Sequence, residues 1–330
     1  MKSLIVKKEG LYCSAGKFYI DAWRPVSLCV ITHAHSDHLI SGHGKIICSK
    51  SSLDLIKHRL GNDTPVQAYG YGEKFILNES EVSLHPAGHI LGSSQVRMEI
   101  QKKVTVVSGD YKREYDPTCE PFEVVKCHTF VTETTFSLPI YHWEPSEEVI
   151  KKIYQWWINN SERGFSSVLY CYSLGKAQRV MALLGSLTNK PVYVHGSILP
   201  LAEIYVRMGI SLIPFLPISE NKSFSFKGEL IIASPLAKGT PWLKRFYPYK
   251  SAYVSGWMQV RGARKQRNVD EGFALSDHAD WPGLLKTIKE TEAEYVLTTH
   301  GNVATFARYL NELGIKSDPL VGSEFYKEED

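Results

Sequence analysis

The chain has 330 residues, 43% hydrophobic and 22% charged, with a formal net charge of +3. That length can bury a large core or two, and so small a charge does not by itself announce a polyanion partner, leaving any nucleic-acid surface to local clustering. No stretch approaches the length of a membrane span and Met1–Lys8 lacks the apolar core of a signal sequence, so the cytoplasm is the expected compartment.

Taken in chain order, Leu11–Ile20 runs into Asp21-Ala-Trp-Arg-Pro25, which predicts a strand entering a turn. Ser27–Thr32 reads as a buried strand, and it delivers Ile31-Thr-His-Ala-His-Ser-Asp-His-Leu39 at its carboxyl end. Ser51–Leu60 has helical spacing behind a serine able to cap it. Strands are predicted at Glu81–Leu84, Ser94–Ile100, Val104–Ser108 and Phe130–Glu133. The pattern changes at Ser146–Asn160, where Val149, Ile150, Ile153, Trp156 and Trp157 have the spacing of an amphipathic helix. Strands at Ser167–Tyr172, Pro191–Val194 and Glu229–Ala233 then alternate with helices at Lys176–Leu187 and Leu201–Met208, as in a parallel sheet with crossover helices. From about Glu271 the metal-ligating residue types return, and Tyr295–Thr299 is a last short strand. The simplest organisation is an insertion: residues 1–135 and 270–330 form one domain, and residues 136–269 a second α/β domain of ordinary size. The acidic tail Glu324–Asp330 is expected to fray. The six cysteines, Cys13, Cys29, Cys48, Cys119, Cys127 and Cys171, form no Cys-x-x-Cys pair and read as free thiols.

His33, His35, Asp37 and His38 are costly to bury unpaired and well suited to hold a divalent metal. Residues two apart on extended chain point the same way, so His33 and His35 can grip one ion while Asp37 and His38 reach a second. The later candidates sit at strand ends or in glycine-flanked loops. His89, between Gly88 and Gly92, is preferred as a ligand to His85, which reads as supporting or structural. Asp110 follows the strand Val104–Ser108, where a carboxylate can bridge two cations; the plain alternative is a turn aspartate. His300 follows Tyr295–Thr299 in the same way. The ligands then divide into His33, His35, His89 and Asp110 for one ion, and Asp37, His38, Asp110 and His300 for the other, with room for a shared water.

These residues resemble the successive metal motifs of the metallo-β-lactamase fold: His33-Ala-His-Ser-Asp-His38, Ala87-Gly-His-Ile-Leu-Gly-Ser93, Ser108-Gly-Asp110 and His300-Gly301. Glu133 in Thr-Glu-Thr-Thr-Phe, His278 in Leu-Ser-Asp-His-Ala-Asp-Trp and His300 resemble the acidic and histidine motifs of its β-CASP nuclease branch, which includes Artemis, Apollo and the messenger-RNA 3′-end cleavage subunit. Ser255-Gly-Trp-Met258 and Ser276-Asp-His-Ala-Asp-Trp-Pro-Gly283 are most similar to the bacterial ligase-associated DNA exonucleases. The resemblance implies an αββα metallo-β-lactamase sandwich carrying an inserted α/β β-CASP domain. It also implies Asp21 as a supporting carboxylate, Glu133 and His278 as a pair at the metal centre, and an ATP-dependent DNA ligase and a helicase as associates. One departure is Asp277, where the eukaryotic branch commonly has alanine.

The expected chemistry is phosphodiester hydrolysis by a metal-activated hydroxide between two divalent ions, zinc or manganese, with Asp37, Glu133 and His278 as the catalytic residues. His278, oriented by Glu133, serves as general acid or as a donor to a phosphate oxygen. Leu243–Arg267 interleaves Lys244, Arg245, Lys250, Arg261, Arg264, Lys265 and Arg267 with Phe246, Tyr247, Tyr249 and Trp257, the composition of a single-stranded nucleic-acid groove. Ser255, Gly256 and Trp257 suit a terminal phosphate, and Ser173-Leu-Gly-Lys176 offers a second anion site at a strand-to-helix turn, with helix capping as its alternative reading. The expected function is a DNA exonuclease acting on single-stranded ends in repair, attacking from a 5′ end. The alternatives are an RNA-processing nuclease of the same fold and a non-catalytic nucleic-acid-binding member.

Overall fold

The computed structural model describes residues 4–218 and 224–320; the acidic tail Glu324–Asp330 lies outside the described residues. The chain divides into two compact units, one formed by the described residues up to His142 with those from His278 onward, the other by Trp143–Asp277. Both edges fall later than the 136 and 269 expected from the change of pattern. Phe136 packs its ring on Tyr141 at 4.8 Å and the Trp281 amide donates to the Tyr141 carbonyl, so this segment stays with the first unit. Glu271–Phe273 adds a strand to the sheet of the second.

In the first unit β1 (Leu4–Lys7), β2 (Gly10–Cys13), β3 (Phe18–Ile20), β4 (Cys29–Val30), β5 (Ile46–Ser49) and β6 (Val66–Tyr69) form a sheet in chain order, with α1 (Leu53–Leu60) between the last two strands. The strand expected over Leu11–Ile20 is thus two, because the chain reverses at Lys17, whose φ is +55°. Strands β7 (Phe75–Leu77), β8 (Ser80–Pro86), β9 (Ser94–Ile100) and β10 (Lys103–Val107) make an antiparallel meander, and β11 (Thr129–Glu133) joins β10 in parallel.

The second unit begins with α2 (Ser146–Glu162) and continues through β12 (Ser166–Tyr170), α3 (Lys176–Gly185), β13 (Val192–Val194), α4 (Leu199–Arg207), β14 (Phe215–Pro217), β15 (Leu230–Ala233), β16 (Tyr249–Val254), α5 (Arg261–Arg267) and β17 (Glu271–Phe273). Its strands are all parallel, in the order β14-β13-β15-β12-β16-β17. The predicted amphipathic face of α2 is the buried one: Val149, Ile150, Ile153 and Trp157 sit in one cluster with Leu169, Ile232 and Val254 of the sheet. Trp157 is fully buried and donates Nε1 to the Gly228 carbonyl at 3.0 Å. Trp157→Ala removes that volume and strands the carbonyl, so it is expected to cost about 3–5 kcal/mol in urea unfolding followed in this unit.

The chain returns to the first unit with α6 (Trp281–Thr291), β18 (Tyr295–Thr299), α7 (Val303–Glu312) and β19 (Ser317–Pro319), giving a second sheet ordered β19-β18-β11-β10-β9-β8-β7. Val30 and Ile47 of the first sheet share an apolar cluster with Val82, Val96, Met98, Val107 and Val131 of the second, so the two sheets face one another. Alternation along the strand turns Val106 and Phe130 the other way, onto Leu284, Ile288, Phe306 and Leu310 of α6 and α7. Because β10, β11 and β18 run parallel, with Val107 opposite Val131 and Glu133 opposite Thr299, their carboxyl ends reach one edge of the sheet. Asp110, Glu133 and His300 emerge there.

Candidate metal centre

The motif after β4 is anchored from below before it can offer ligands. Asp21, with a left-handed φ of +44°, accepts the Thr32 amide on Oδ1 at 2.8 Å and, on Oδ2, the Thr32 hydroxyl at 2.6 Å and His38 Nδ1 at 2.8 Å. The Thr32 hydroxyl, its proton committed to Asp21, lies 3.1 Å from His33 Nδ1 and accepts from it. Both imidazoles therefore carry their proton on Nδ1 and turn Nε2 toward the centre, as an outer carboxylate or hydroxyl does for metal-ligating histidines. Asp21 was legible in the sequence only through the family resemblance; Thr32 was not legible, although its place at the end of the predicted strand, next to His33, was the available signal.

His33 Nε2 and His89 Nε2 each lie 3.1 Å from His35 Nδ1. A single Nδ1 has one proton at most and cannot satisfy both, so lone pairs face one another unless a cation stands between them. Separations near 3.1 Å suit nitrogens placed on a tetrahedral ion at about 2.0–2.1 Å from its centre. Asp110 Oδ2 lies 3.4 Å from His33 Nε2, 3.3 Å from His38 Nε2 and 3.8 Å from His89 Nε2. Its Oδ1 is buried without a hydrogen-bond partner among the described residues. His38 Nε2 is 3.5 Å from Asp37 Oδ2, and the His300 ring stacks on that of His38 at 5.2 Å. The ligand atoms of His33, His35, His89 and Asp110 form one group within 4.8 Å; those of His38, Asp110 and His300 form another, and those of His33, Asp37 and His38 a third. The donor set fits a divalent cation: neutral nitrogens and carboxylate oxygens, nearly all buried.

His85, the rival of His89, points elsewhere, with Nε2 3.0 Å from the Ser83 hydroxyl and Nδ1 3.0 Å from Glu123. The loop reaches His89 through Gly88, at φ +72°, where a Cβ would stand 2.5 Å from the Lys112 carbonyl. Only glycine lets the backbone pass there.

Burial sets the protonation of these groups. It holds His33 well below its ordinary value and pushes His300 down to about 3, so both stand ready as neutral ligands. Burial opposes the proton on His38 as well, but Asp110, Asp37 and Asp21 outweigh it and hold this imidazole well above its ordinary value. For Asp110 burial favours the neutral acid, yet His38, His278 and His33 keep the carboxylate well below its usual range. A cation taken up at His38 must displace a proton. Titration of the protein with manganese at pH 7 is therefore expected to release at least about one proton, read by calorimetry in buffers of different ionisation heat, with affinity rising as pH rises. Heats that do not depend on the buffer would contradict this.

Glu133 and His278 meet at the same edge. Glu133 Oε2 accepts His278 Nδ1 at 2.7 Å and the Thr135 hydroxyl at 2.6 Å, while Oε1 accepts the Tyr111 amide at 2.7 Å. Burial raises the Glu133 carboxyl, against the pull of His278. The His278 ring lies 4.7 Å from that of His89. Asp110, Glu133 and His278 are also close enough to hold an ion, but both Glu133 oxygens are already engaged, which marks Glu133 as the orienting partner of an imidazole.

The substrate-binding candidates are placed less uniformly. Lys176 is 1% exposed at the start of α3, its Nζ 3.4 Å from Asp277, the departure noted in sequence; Arg179 meets Asp277 at the same distance. Lys176 thus faces an internal carboxylate where a ligand anion was expected. Ser173 is half-buried, its hydroxyl 2.9 Å from that of Ser197. Ser255 is fully buried and accepts the Trp257 amide at 3.2 Å, capping the short turn Gly256–Gln259. Gly256 is buried and Trp257 half-buried. Arg264 pairs with Glu271 at 2.7 Å, whereas Arg261 is exposed on α5.

Buried histidines and carboxylates at the carboxyl ends of strands, beside an oriented imidazole, form groups able to hold a divalent cation. No family model matches the chain. It is 31% identical over 94% of its length to a probable DNA ligase of Opitutus terrae, of which it spans 30%. It is 21% identical over 84% of its length to an RNase J-like protein of Methanocaldococcus jannaschii, covering 82% of that protein. A solved structure of a protein of unknown function from Enterococcus faecalis V583 shares the fold, with a TM-score of 0.55 and 11% identity over 82% of this chain and 74% of that one. The chain's relatives are β-CASP nucleases of the metallo-β-lactamase fold, and it is similar to them over most of its own length. Among the described residues no helix is long and apolar enough to cross a membrane.

Proposed function

We propose that this protein is a two-metal DNA exonuclease acting on single-stranded ends, its first unit an αββα sandwich and its second the β-CASP insertion. The observation that carries the reading is the convergence of His33, His35 and His89 nitrogens with Asp110, next to the Glu133–His278 pair. His33, His35, His89 and Asp110 hold one ion and Asp37, His38, Asp110 and His300 the other, with zinc and manganese both suited to the donors. Divalent cations held by these residues would supply the Lewis acidity needed to acidify a water and to offset charge on the phosphate oxygens. Asp21 and Thr32 keep the ligands in orientation. His278, its Nδ1–H donating a hydrogen bond to Glu133, acts through Nε2 on the departing or phosphate oxygen.

Phosphate and base binding are assigned to the exposed members of the basic aromatic stretch, Lys244, Arg245, Tyr247, Arg261 and Lys265. Ser173 and the Gly256 turn are proposed to receive a terminal phosphate. Support for DNA comes from the Opitutus relative, in which a similar segment is part of a probable DNA ligase, and this points to a ligase as partner. The RNase J-like relative favours a second reading, cleavage of RNA by the same centre. Protein supplied with manganese or zinc and incubated with 5′- or 3′-labelled single-stranded DNA and RNA separates them. Loss of DNA end label that is absent in His33→Ala is the expected result. Cleavage of RNA alone would establish the second reading, and activity surviving in His33→Ala would overturn the site.

A further inference from the structure

Opposite the metal ligands, the turn that follows β11 carries two adjacent threonines whose hydroxyls point to different halves of the centre. The register pairs Glu133 with Thr299, so Thr134 and Thr135 come to lie beside His300 and Gly301. Both threonines are buried, 0% and 4% exposed. The Thr134 hydroxyl donates to the His300 carbonyl and lies 3.2 Å from that of Thr299. His300 has φ +56°, a left-handed conformation that a residue with a Cβ holds only when its surroundings impose it. Gly301 follows at φ +70°, where a Cβ would stand 2.4 Å from the Thr134 carbonyl, so the two backbones are in direct contact. The Thr135 hydroxyl donates at 2.6 Å to Glu133 Oε2, the oxygen that also accepts His278 Nδ1.

We propose that Thr134 and Thr135 are positioning residues of the nuclease centre, Thr134 holding His300 in its ligating conformation and Thr135 holding Glu133, and through it His278. Neither touches a reacting atom. The proposal rests on the metal-dependent nuclease reading and gives a role to the two threonines that follow Glu133 in Thr-Glu-Thr-Thr-Phe, neither of which is among the inferred ligands. A purely structural turn needs only its shape, whereas positioning needs the hydroxyl protons, so valine and serine at each place give opposite answers.

The test compares Thr134→Val, Thr134→Ser, Thr135→Val and Thr135→Ser with the wild type, folding being checked by circular dichroism. Removing a group that orients a ligand typically costs about 10–100-fold in metal affinity or activity. Thr134→Val is expected to weaken manganese binding by about that factor at one of the two ions in a titration against a chelator, with Thr134→Ser near wild type. Thr135→Val is expected to keep both ions and KM, to lose about 10–100-fold in kcat, and to shift the low-field proton resonance of His278 Nδ1; Thr135→Ser restores all three. Should a valine variant not fold, alanine in its place carries the same comparison with serine. Thr134→Val binding manganese as the wild type does, Thr135→Val with unaltered kcat and resonance, or serine variants as impaired as the valine ones would each overturn the proposal. The titration and the resonance need no substrate, so a wild type that cleaves nothing would count against the nuclease reading while both still decide the threonines.

Discussion

Asp110→Asn is expected to lower kcat/KM by roughly a thousandfold or more and to leave the protein short of metal. The argument is one of position and charge. Asp110 Oδ2 stands within 3.8 Å of the Nε2 atoms of His33, His38 and His89, and Oδ1 is buried without a partner among the described residues. A carboxylate so placed can serve two cations, one on each oxygen. The amide keeps the shape, but its nitrogen is a donor where a ligand lone pair is needed and its negative charge is gone. Charge stabilisation by a metal amounts to several kcal/mol in the transition state, and each 1.36 kcal/mol is a factor of ten. The variant also loses the attraction that keeps His38 protonated without metal, so proton release on adding manganese should shrink with it. Cleavage assays with elemental analysis check this; a variant that binds as much metal and cleaves within tenfold of wild type would refute it.

Glu133→Gln is expected to lower kcat by about 10²–10⁴ while metal content stays at the wild-type level. Three donors converge on the two oxygens of Glu133: the Tyr111 amide, the Thr135 hydroxyl and His278 Nδ1. Glutamine has one oxygen and an NH2 group, so at least one donor must face another donor in a buried site. If the NH2 group meets His278, the imidazole must move its proton to Nε2 or turn away, and it loses the orientation that Glu133 imposed. Glu133 is not among the inferred ligands, so reduced cleavage with retained metal separates its role from that of Asp110. Equal loss of metal in both variants would place Glu133 among the ligands.

The candidate ligands were legible because they stand just after strands or in a glycine-flanked loop, where packing gives no reason for a histidine or an aspartate. His33-Ala-His35 shows the spacing in the sequence itself, and His89 was separable from His85 by its flanking glycines, which the left-handed Gly88 explains. Helix α2 was legible from its apolar spacing for the same reason: one physical constraint, read along a continuous segment. What could not be read depends on partners remote in sequence. Lys176 looks like an anion-binding lysine at a helix start until Asp277 is placed beside it, and Arg264 looks available until Glu271 is. Tyr249–Val254 reads as part of a basic aromatic surface, whereas four of its six residues are buried in a parallel strand next to β12. Strand β4 has only two residues, too few for alternation to show. Thr134 and Thr135 gained meaning only through the register of β11 against β18, which no local pattern encodes.

The most direct measurement is anomalous diffraction from crystals of the protein loaded with manganese or zinc. Two peaks about 3.5–4 Å apart are predicted, with Asp110 between them, His33, His35 and His89 around one and His38 and His300 at the other. A single peak remote from Asp110, or none at saturating metal, would contradict the account.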